Sequence, residues 1–563
     1  MANIDFSKSG QDKALEFIGK DMLVSASAGS GKTTVMVEKI LRYLETGSVT
    51  RIIVLTFTKA SAQDMKEKLT ERLLREIRLG GERAEHYKRE LQLLPFAYIG
   101  TIDAICGEIY KRYFEEIGVS PGLEILDDEE GKALLNTAIE QVIEKSIKEG
   151  EASFNELGTL FSDGKSFEKL KEPINEIISF ISAQENPSVF MAYALEEAEK
   201  PFIESTVIKD TVARFRKKFS LFTDATEALI ADAKTYAPPK SYERCYQKAV
   251  ELNDLVWDII HADDQAFIER IIAIDKFMTV PSSTKGEAEY LEYLARVKKV
   301  NEAIKGLVAK AQKIFTVDLT ECEREDADSR RLAKMLLETV VKVRQKYSEL
   351  KEEEGKADFE DVERYALQIL SRKSLAKEFS EGIDYIFLDE YQDTNRLQEA
   401  IFDKIARGNL FMVGDVKQAI YGFREADPDI FLEKHRKFKE GDGGKNVPLN
   451  KNFRSDQRVL KFVDDVFSEV MTYDFGGIDY RRESRFGEAG LDNKANGNSP
   501  EVEVAVFTPE RKESEVPEGI YSVKEGARNQ IEFKKEDYYI ASKIKELVGK
   551  QTVYDKSMGG ERL

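Results

Sequence analysis

The segment Ala26-Ser27-Ala28-Gly29-Ser30-Gly31-Lys32-Thr33 joins an apolar run to a helical pattern, and a turn of that composition can hold phosphate. Glycines let backbone N–H groups approach an anion, and the following helix N-terminus favours negative charge. Lys32 can reach the β and γ oxygens of a nucleoside triphosphate, and the Thr33 hydroxyl can ligand Mg2+. Thr34 completes the candidate nucleotide-binding set. The strict pattern has glycine where this chain has Ala26. An ordinary glycine-rich connector is the competing explanation, and the strand before with the helix after favours the nucleotide.

Asp389-Glu390 ends another apolar run, Tyr385 to Leu388, the place where ligands bind in open parallel sheets. The aspartate can hold Mg2+, and the glutamate can take a proton from an attacking water. Alone, the pair is better explained as an acidic loop after a strand; combined with the phosphate loop it becomes the second half of an ATPase site. Gly414-Asp415-Val416-Lys417-Gln418 ends the next run, and a glutamine there can hydrogen-bond a γ-phosphate and sense its loss. Asn452-Phe453-Arg454-Ser455 offers a guanidinium, Arg454, as an arginine finger; a surface salt bridge is the alternative use. Tyr421, Phe423 and Arg424 follow Gln418 closely, and rings beside a cation suit stacking on unpaired bases. Each ring taken singly, Phe57 included, is also a candidate for the core.

Positioning these groups requires a parallel α/β sheet. Strand-like Asp21 to Ser27, Arg51 to Phe57 and Phe96 to Gly100 alternate with helical patterns at Lys32 to Leu44, Lys59 to Leu79 and Thr101 to Phe114, the order of a sheet wound with crossover helices. Residues 121–354 change to long, charged amphipathic stretches and predict an all-helical insertion. The α/β pattern resumes over 355–446. The organisation expected is a first ATPase domain in two parts, 1–120 and 355–446, interrupted by the insertion, and a second, incomplete α/β domain over 447–563. That last unit is expected to hold a helix at Asp456 to Val470, a strand at Val502 to Phe507 and a helix at Tyr538 to Val548, with loops at Gly487 to Asn498 and Glu510 to Glu525.

Composition narrows the chemistry further. Three scattered cysteines among 563 residues exclude a disulfide framework and a Cys-rich metal site, and three scattered histidines in no motif argue against imidazole catalysis, pointing to carboxylates, Lys and Arg. No run of about 18 apolar residues exists, so a soluble, cytoplasmic protein without membrane contact is expected. The net charge of −19 does not exclude nucleic acid, because the field that matters is local. The stretch 410–461 carries more Lys and Arg than Asp and Glu.

These pieces, in this order, resemble the UvrD/Rep-type superfamily-one helicases. Gln11 matches their adenine-reading glutamine and Ala26 to Thr33 their phosphate loop. Thr56-Phe57-Thr58-Lys59-Ala60-Ser61-Ala62 matches the first DNA-contact motif. Gly100-Thr101-Ile102-Asp103-Ala104-Ile105-Cys106 matches the next, with Asp103 where relatives often have His. Leu388-Asp389-Glu390-Tyr391-Gln392-Asp393-Thr394 is the most specific match. Val413 to Arg424 follows closely, with Phe423 where many relatives have Trp, and Leu449 to Ser455 completes the set.

The resemblance implies RecA-like P-loop motor domains, ATP and Mg2+ as nucleotide and metal, and single- or double-stranded DNA as substrate. It implies that Phe453 stacks on adenine and that Phe57, Thr58, Thr101, Tyr421, Phe423 and Arg424 line the DNA path. Within the group, the wording of 413–431 and the long insertion are most similar to the AddA (RexA) branch, the helicase-nuclease subunits of AddAB double-strand-break repair complexes. That branch implies 3′→5′ movement, an AddB-like partner in a heterodimer and a C-terminal nuclease domain. A single-chain repair helicase without nuclease and a non-motor ATP-dependent DNA-binding regulator are the rival readings. Later helicase motifs do not follow Arg454, so an N-terminal fragment or truncated product with impaired turnover is expected.

Overall fold

The computed structural model describes residues 11–486, apart from 162–166, 284, 316–318, 456 and 474–476, together with 535–548, 553–555 and 560–562. Its centre is a six-stranded sheet built from β1 (Asp21–Ala26), β2 (Ile52–Leu55), β3 (Tyr98–Gly100), β6 (Tyr385–Leu388), β7 (Leu410–Gly414) and β8 (Gly444–Leu449), in the order β3-β2-β6-β7-β1-β8. Every pairing in it is parallel. The intervening β4 (Glu124–Ile125) and β5 (Lys356–Ala357) form a separate parallel pair.

Both faces of the sheet are covered, which is why its strands are nearly continuous apolar runs. Side chains alternate between faces along each strand. Met22, Val24, Ile52, Val54, Phe387, Phe411 and Val413 join one hydrophobic cluster with the helices Lys32–Tyr43 and Lys59–Leu79. Leu23, Ile53, Leu55, Ile386, Leu388, Leu410 and Met412 join the other, with Ile102–Ile117, Phe359–Leu370, Arg396–Ile405 and Pro428–Lys439. The C-terminal ends of β1, β6 and β7, adjacent in the sheet, therefore open onto one edge.

The insertion is helical as expected. Helices from Asp128–Lys148 to the 36-residue Leu319–Glu354 build two further apolar clusters. The last helix runs through both, contributing Cys322 to one and Val340 and Val343 to the other. The β4–β5 pair closes the neck where the chain leaves and re-enters the sheet domain. Among the described residues no helix is long and apolar enough to cross a membrane.

The sheet corrects the expected boundary at residue 447. Val447–Leu449 does not open a second sheet: β8 lies beside β1, with Val24 opposite Val447 and Ala26 opposite Leu449. Its two apolar side chains pack into the same cluster as β1, so joining the existing edge buries them at once. Beyond it come the helices Gln457–Val470, Tyr480–Glu483 and Lys535–Leu547 and an antiparallel pair, Val553–Asp555 with Gly560–Arg562. The strand expected at Val502 to Phe507 and the loops expected at 487–498 and 510–525 lie outside the described residues.

Candidate nucleotide site and nucleic-acid face

The loop after β1 turns on two glycines. Gly29 and Gly31 have φ of +69° and +86°, a region that side-chain-bearing residues rarely adopt. A Cβ on Gly29 would also lie 2.6 Å from the Asn452 side chain. Ala26 ends β1 and Gly31 caps the helix that Lys32, Thr33 and Thr34 begin. The loop is pinned from the end of β8: Ser27 N–H donates to Leu449 O at 2.9 Å, Phe453 N–H to Gly29 O at 2.9 Å, and Asn452 Nδ2 to Ala28 O at 2.7 Å. Gln11, 1% exposed, donates from Nε2 to Ser30 O at 2.8 Å. Within this cradle the Ser30 hydroxyl is buried without a hydrogen-bond partner, an orphan that a phosphate oxygen would satisfy.

Lys32, Glu390 and Gln418 meet although the sequence separates them widely. Lys32 Nζ donates to Glu390 Oε2 at 2.6 Å and to Gln418 Oε1 at 3.4 Å. Glu390 has φ +49° and ψ +46°, a left-handed conformation for a non-glycine residue, and strain of this kind clusters at functional sites. Asp389 is anchored by its N–H to Leu55 O at 2.9 Å, and its Oδ1 accepts from Glu390 N–H at 3.0 Å. Burial, then the neighbouring Glu390 charge, pushes the Asp389 carboxyl up to about 6, against the pull of Lys32. Asp393 is raised to about 6 for the same first two reasons.

The donors suit Mg2+, a hard cation bound through one or two carboxylates, water and substrate phosphates rather than an all-protein cage. Thr33 and Asp389 could supply a hydroxyl and a carboxylate, with the orphaned Ser30 hydroxyl available to an anion in the same loop. Among the described residues no cluster of three or more His, Cys, Asp or Glu forms a metal cage.

A second face begins at the ends of β2 and β7. Phe57 and Tyr421 have ring centroids 4.5 Å apart, and Tyr421 and Phe423 5.7 Å apart. The Arg424 guanidinium lies 5.7 to 5.9 Å from all three rings. Phe423 is 74% exposed, so this ring is outside the core and free to act as a candidate stacking platform. Thr58 Oγ1 accepts from Ser61 N–H at 3.0 Å and caps the helix that follows β2. Thr101 precedes the Ile102–Ile117 helix. A cavity of about 220 Å³ joins this face to the acids, with Phe57, Thr101, Asp389, Glu390, Asp393 and Arg424 in its wall.

The UvrD/REP helicase N-terminal domain family matches residues 7–439. The chain belongs to the UvrD/REP helicase family. Among individual relatives, an ATP-dependent helicase/nuclease subunit from Alkaliphilus metalliredigens is 31% identical over 557 residues, covering 97% of this chain and 45% of the relative. Its namesake from Alkaliphilus oremlandii is 30% identical over 565 residues, covering 98% and 46%. The namesake from Staphylococcus carnosus is 31% identical over 587 residues, covering 98% and 45%. The chain spans about half the length of these curated relatives.

The structure thus brings Gln11, the 26–34 loop, Asp389, Glu390 and Gln418 together, and separately gathers Phe57, Tyr421, Phe423 and Arg424. Phe453 is partly buried beside the loop, and Arg454 is exposed, its N–H held at 2.8 Å by Asn452 Oδ1. Two buried residues beside these groups carry no role in the sequence reading: Asn452, which ties the loop to the end of β8, and Gln392, which donates to Glu390 from beneath it. Both lie inside recognised motifs, but their roles depend on partners far away in the chain.

Proposed function

We propose that the chain binds ATP with Mg2+ at the 26–34 loop and hydrolyses it to drive 3′→5′ movement along single-stranded DNA. The setting is a cytoplasmic helicase-nuclease of double-strand-break repair that pairs with an AddB-like protein. The observation that carries this reading is that one ammonium, Lys32 Nζ, contacts both Glu390 Oε2 at 2.6 Å and Gln418 Oε1 at 3.4 Å, so the group read as phosphate-binding cation joins those read as base and γ-phosphate sensor. The names of the relatives support the helicase-nuclease setting.

In this mechanism Gln11 and Phe453 hold the adenine, and the loop amides, the Ser30 hydroxyl and Lys32 hold the phosphates. Thr33 and Asp389 would hold Mg2+, which when bound neutralises charge on the phosphate oxygens. Glu390 orients a water and takes its proton, Gln418 reads the γ-phosphate, and Arg454 adds a guanidinium. Phe57, Thr58, Thr101, Tyr421, Phe423 and Arg424 hold the strand by stacking and hydrogen bonds. Glu390→Gln keeps the shape and removes the base, so DNA-stimulated hydrolysis should fall by about 10²–10⁴ while ATP still binds. Turnover equal to the parent's would end the reading.

A further inference from the structure

Five side chains and one backbone amide close a ring between the phosphate loop and the segment that carries the aromatic platform. Lys32 Nζ donates to Glu390 Oε2, and Gln392 Nε2 donates to the same oxygen at 2.9 Å. Gln392 Oε1 accepts from Asp415 N–H at 2.8 Å. Asp415 Oδ2 accepts from Gln418 Nε2 at 2.7 Å, and Gln418 Oε1 accepts from Lys32 Nζ. Tyr421 follows Gln418 by three residues.

Gln392 is 1% exposed, and both ends of its amide are used. The second Nε2 proton goes to Asp393 Oδ2 at 3.2 Å. An amide is the side chain that fits, because this position needs a donor towards two carboxylates and an acceptor towards a backbone N–H. Space is equally specific: a Cβ on Gly414 would lie 2.5 Å from Gln392 Oε1, so glycine at the end of β7 leaves room for this contact. Gln392 is therefore a buried joint between the ends of β6 and β7.

We propose that Gln392 is a positioning residue that couples the nucleotide site to the DNA platform. When Lys32 turns towards a phosphate, Glu390 loses its ammonium partner and bears on the Gln392 amide. The amide then moves Asp415 and Gln418, and with them the Tyr421–Arg424 segment. A buried polar ring suits this role because each member's partners change together, and both sites bias the same element. The inference rests on the ATP and DNA reading above.

The test measures binding of a labelled oligothymidylate to the full chain with and without a non-hydrolysable ATP analogue and Mg2+. The parent should show a change in DNA affinity on adding the analogue, of the roughly 5–150-fold size ordinary for coupled sites. Gln392→Met should bring that ratio close to one while each ligand still binds alone. Gln392→Glu keeps the shape and the acceptor for Asp415 N–H but lacks the donor when ionised. Coupling should be absent at alkaline pH and return on acidification, as the acid gains a proton to donate to Glu390. Asp389, Glu390, Asp393, Asp415, Lys32 and Lys417 face this site, so the parent is titrated alongside to remove their contribution.

A purely structural amide predicts lowered melting temperatures, an unchanged ratio and no pH-dependent rescue, and that outcome overturns the proposal. Should Gln392→Met fail to fold, the glutamate variant decides. A parent that binds both ligands with a ratio of one overturns the coupling alone. A parent that binds neither ends the nucleotide and DNA reading, and the coupling with it.

Discussion

Two lysines with little exposure show how differently the sheet edge and the helical insertion use charge. Lys32, with 12% of its side chain exposed, reaches a carboxylate 358 residues away. Lys248, with none exposed, pairs at 2.6 Å with Glu251 in the next turn of its own helix. Around Lys32, acids, amides and glycines crowd three adjacent strand ends, one acid sits in a strained conformation, and a hydroxyl lacks a partner. Around Lys248, the Glu251 carboxylate also accepts from Met278 N–H at 2.7 Å, and Ala249 and Leu252 beside the pair belong to the apolar cluster. The charge of Lys248 is met within its own helix; that of Lys32 is met from strand ends far along the chain.

The strongest way to break that contrast is to remove one partner in each place. Lys32→Ala should lower ATP hydrolysis by about 10²–10³, the cost of losing one donor aimed at developing charge, with little change in melting temperature. Glu251→Ala leaves the Lys248 ammonium and the Met278 N–H without their acceptor, and should cost about 1–3 kcal/mol of stability while hydrolysis per folded molecule stays at the parent's level. Calorimetry and an ATPase assay on both variants check this. The opposite pattern, a stability loss at Lys32 or a rate loss at Glu251, would erase the distinction.

A smaller effect, in stability against pH, sharpens the same comparison. Glu363, on the Phe359–Leu370 helix under the sheet, accepts from Gln398 Nε2 at 2.9 Å, and burial followed by the Asp103 charge pushes its carboxyl from 4.5 up to about 8. Across that interval the folded chain keeps a proton that the unfolded chain has released, so stability falls as pH rises, by up to about 1.4 kcal/mol per pH unit for one group. Glu363→Gln should flatten the curve there. In the insertion, Glu197 is held down at about 2 by its bond to Lys200 and then by Thr206 N–H. Its contribution is present above the ordinary carboxylate range and is lost only as the pH falls towards 2. Glu197→Gln should therefore leave the curve between 4.5 and 8 as it is. Denaturant titrations across the pH range read both.

The same division governs what is legible in the sequence. β1, β6 and β7 are legible because strands buried on both faces are continuous apolar runs, and the groups at their ends sit in compact motifs. The insertion helices are legible from their periodicity. β8 reads as the start of another sheet because Gly444–Leu449 carries only two buried apolar side chains beyond its first residue, and its place depends on pairing with a strand more than 400 residues earlier. The β4–β5 neck has two residues per strand, too few for any pattern. Glu363 beside Asp103, Asn452 on Ala28 and Gln392 on Asp415 escape for one reason: each is polar, and what a buried polar side chain does is set by a partner that tertiary structure supplies.

The contrast between the two regions has one place where it is expected to blur, and there the predicted effect is smallest. The insertion touches the sheet domain through Leu397 N–H to Ala183 O at 3.0 Å and Arg364 Nη2 to Ser182 O at 2.8 Å. It also reaches the platform segment itself, where Ser179 Oγ donates to Glu425 Oε1 at 3.0 Å. Glu425 has φ +59° and directly follows Arg424, so this bond steadies the residue that ends the platform. An exposed hydrogen bond of this kind contributes about 0.5–1 kcal/mol. Ser179→Ala should accordingly weaken binding of a labelled oligonucleotide by about two- to fivefold and leave hydrolysis without DNA at the parent's level. A loss of tenfold or more would make the insertion part of the grip on DNA, with charge there serving a ligand after all. No loss would confine the insertion's contacts to those with the sheet scaffold, and Glu425 would then owe its left-handed backbone to the turn in which its N–H donates to Gly422 O at 3.0 Å.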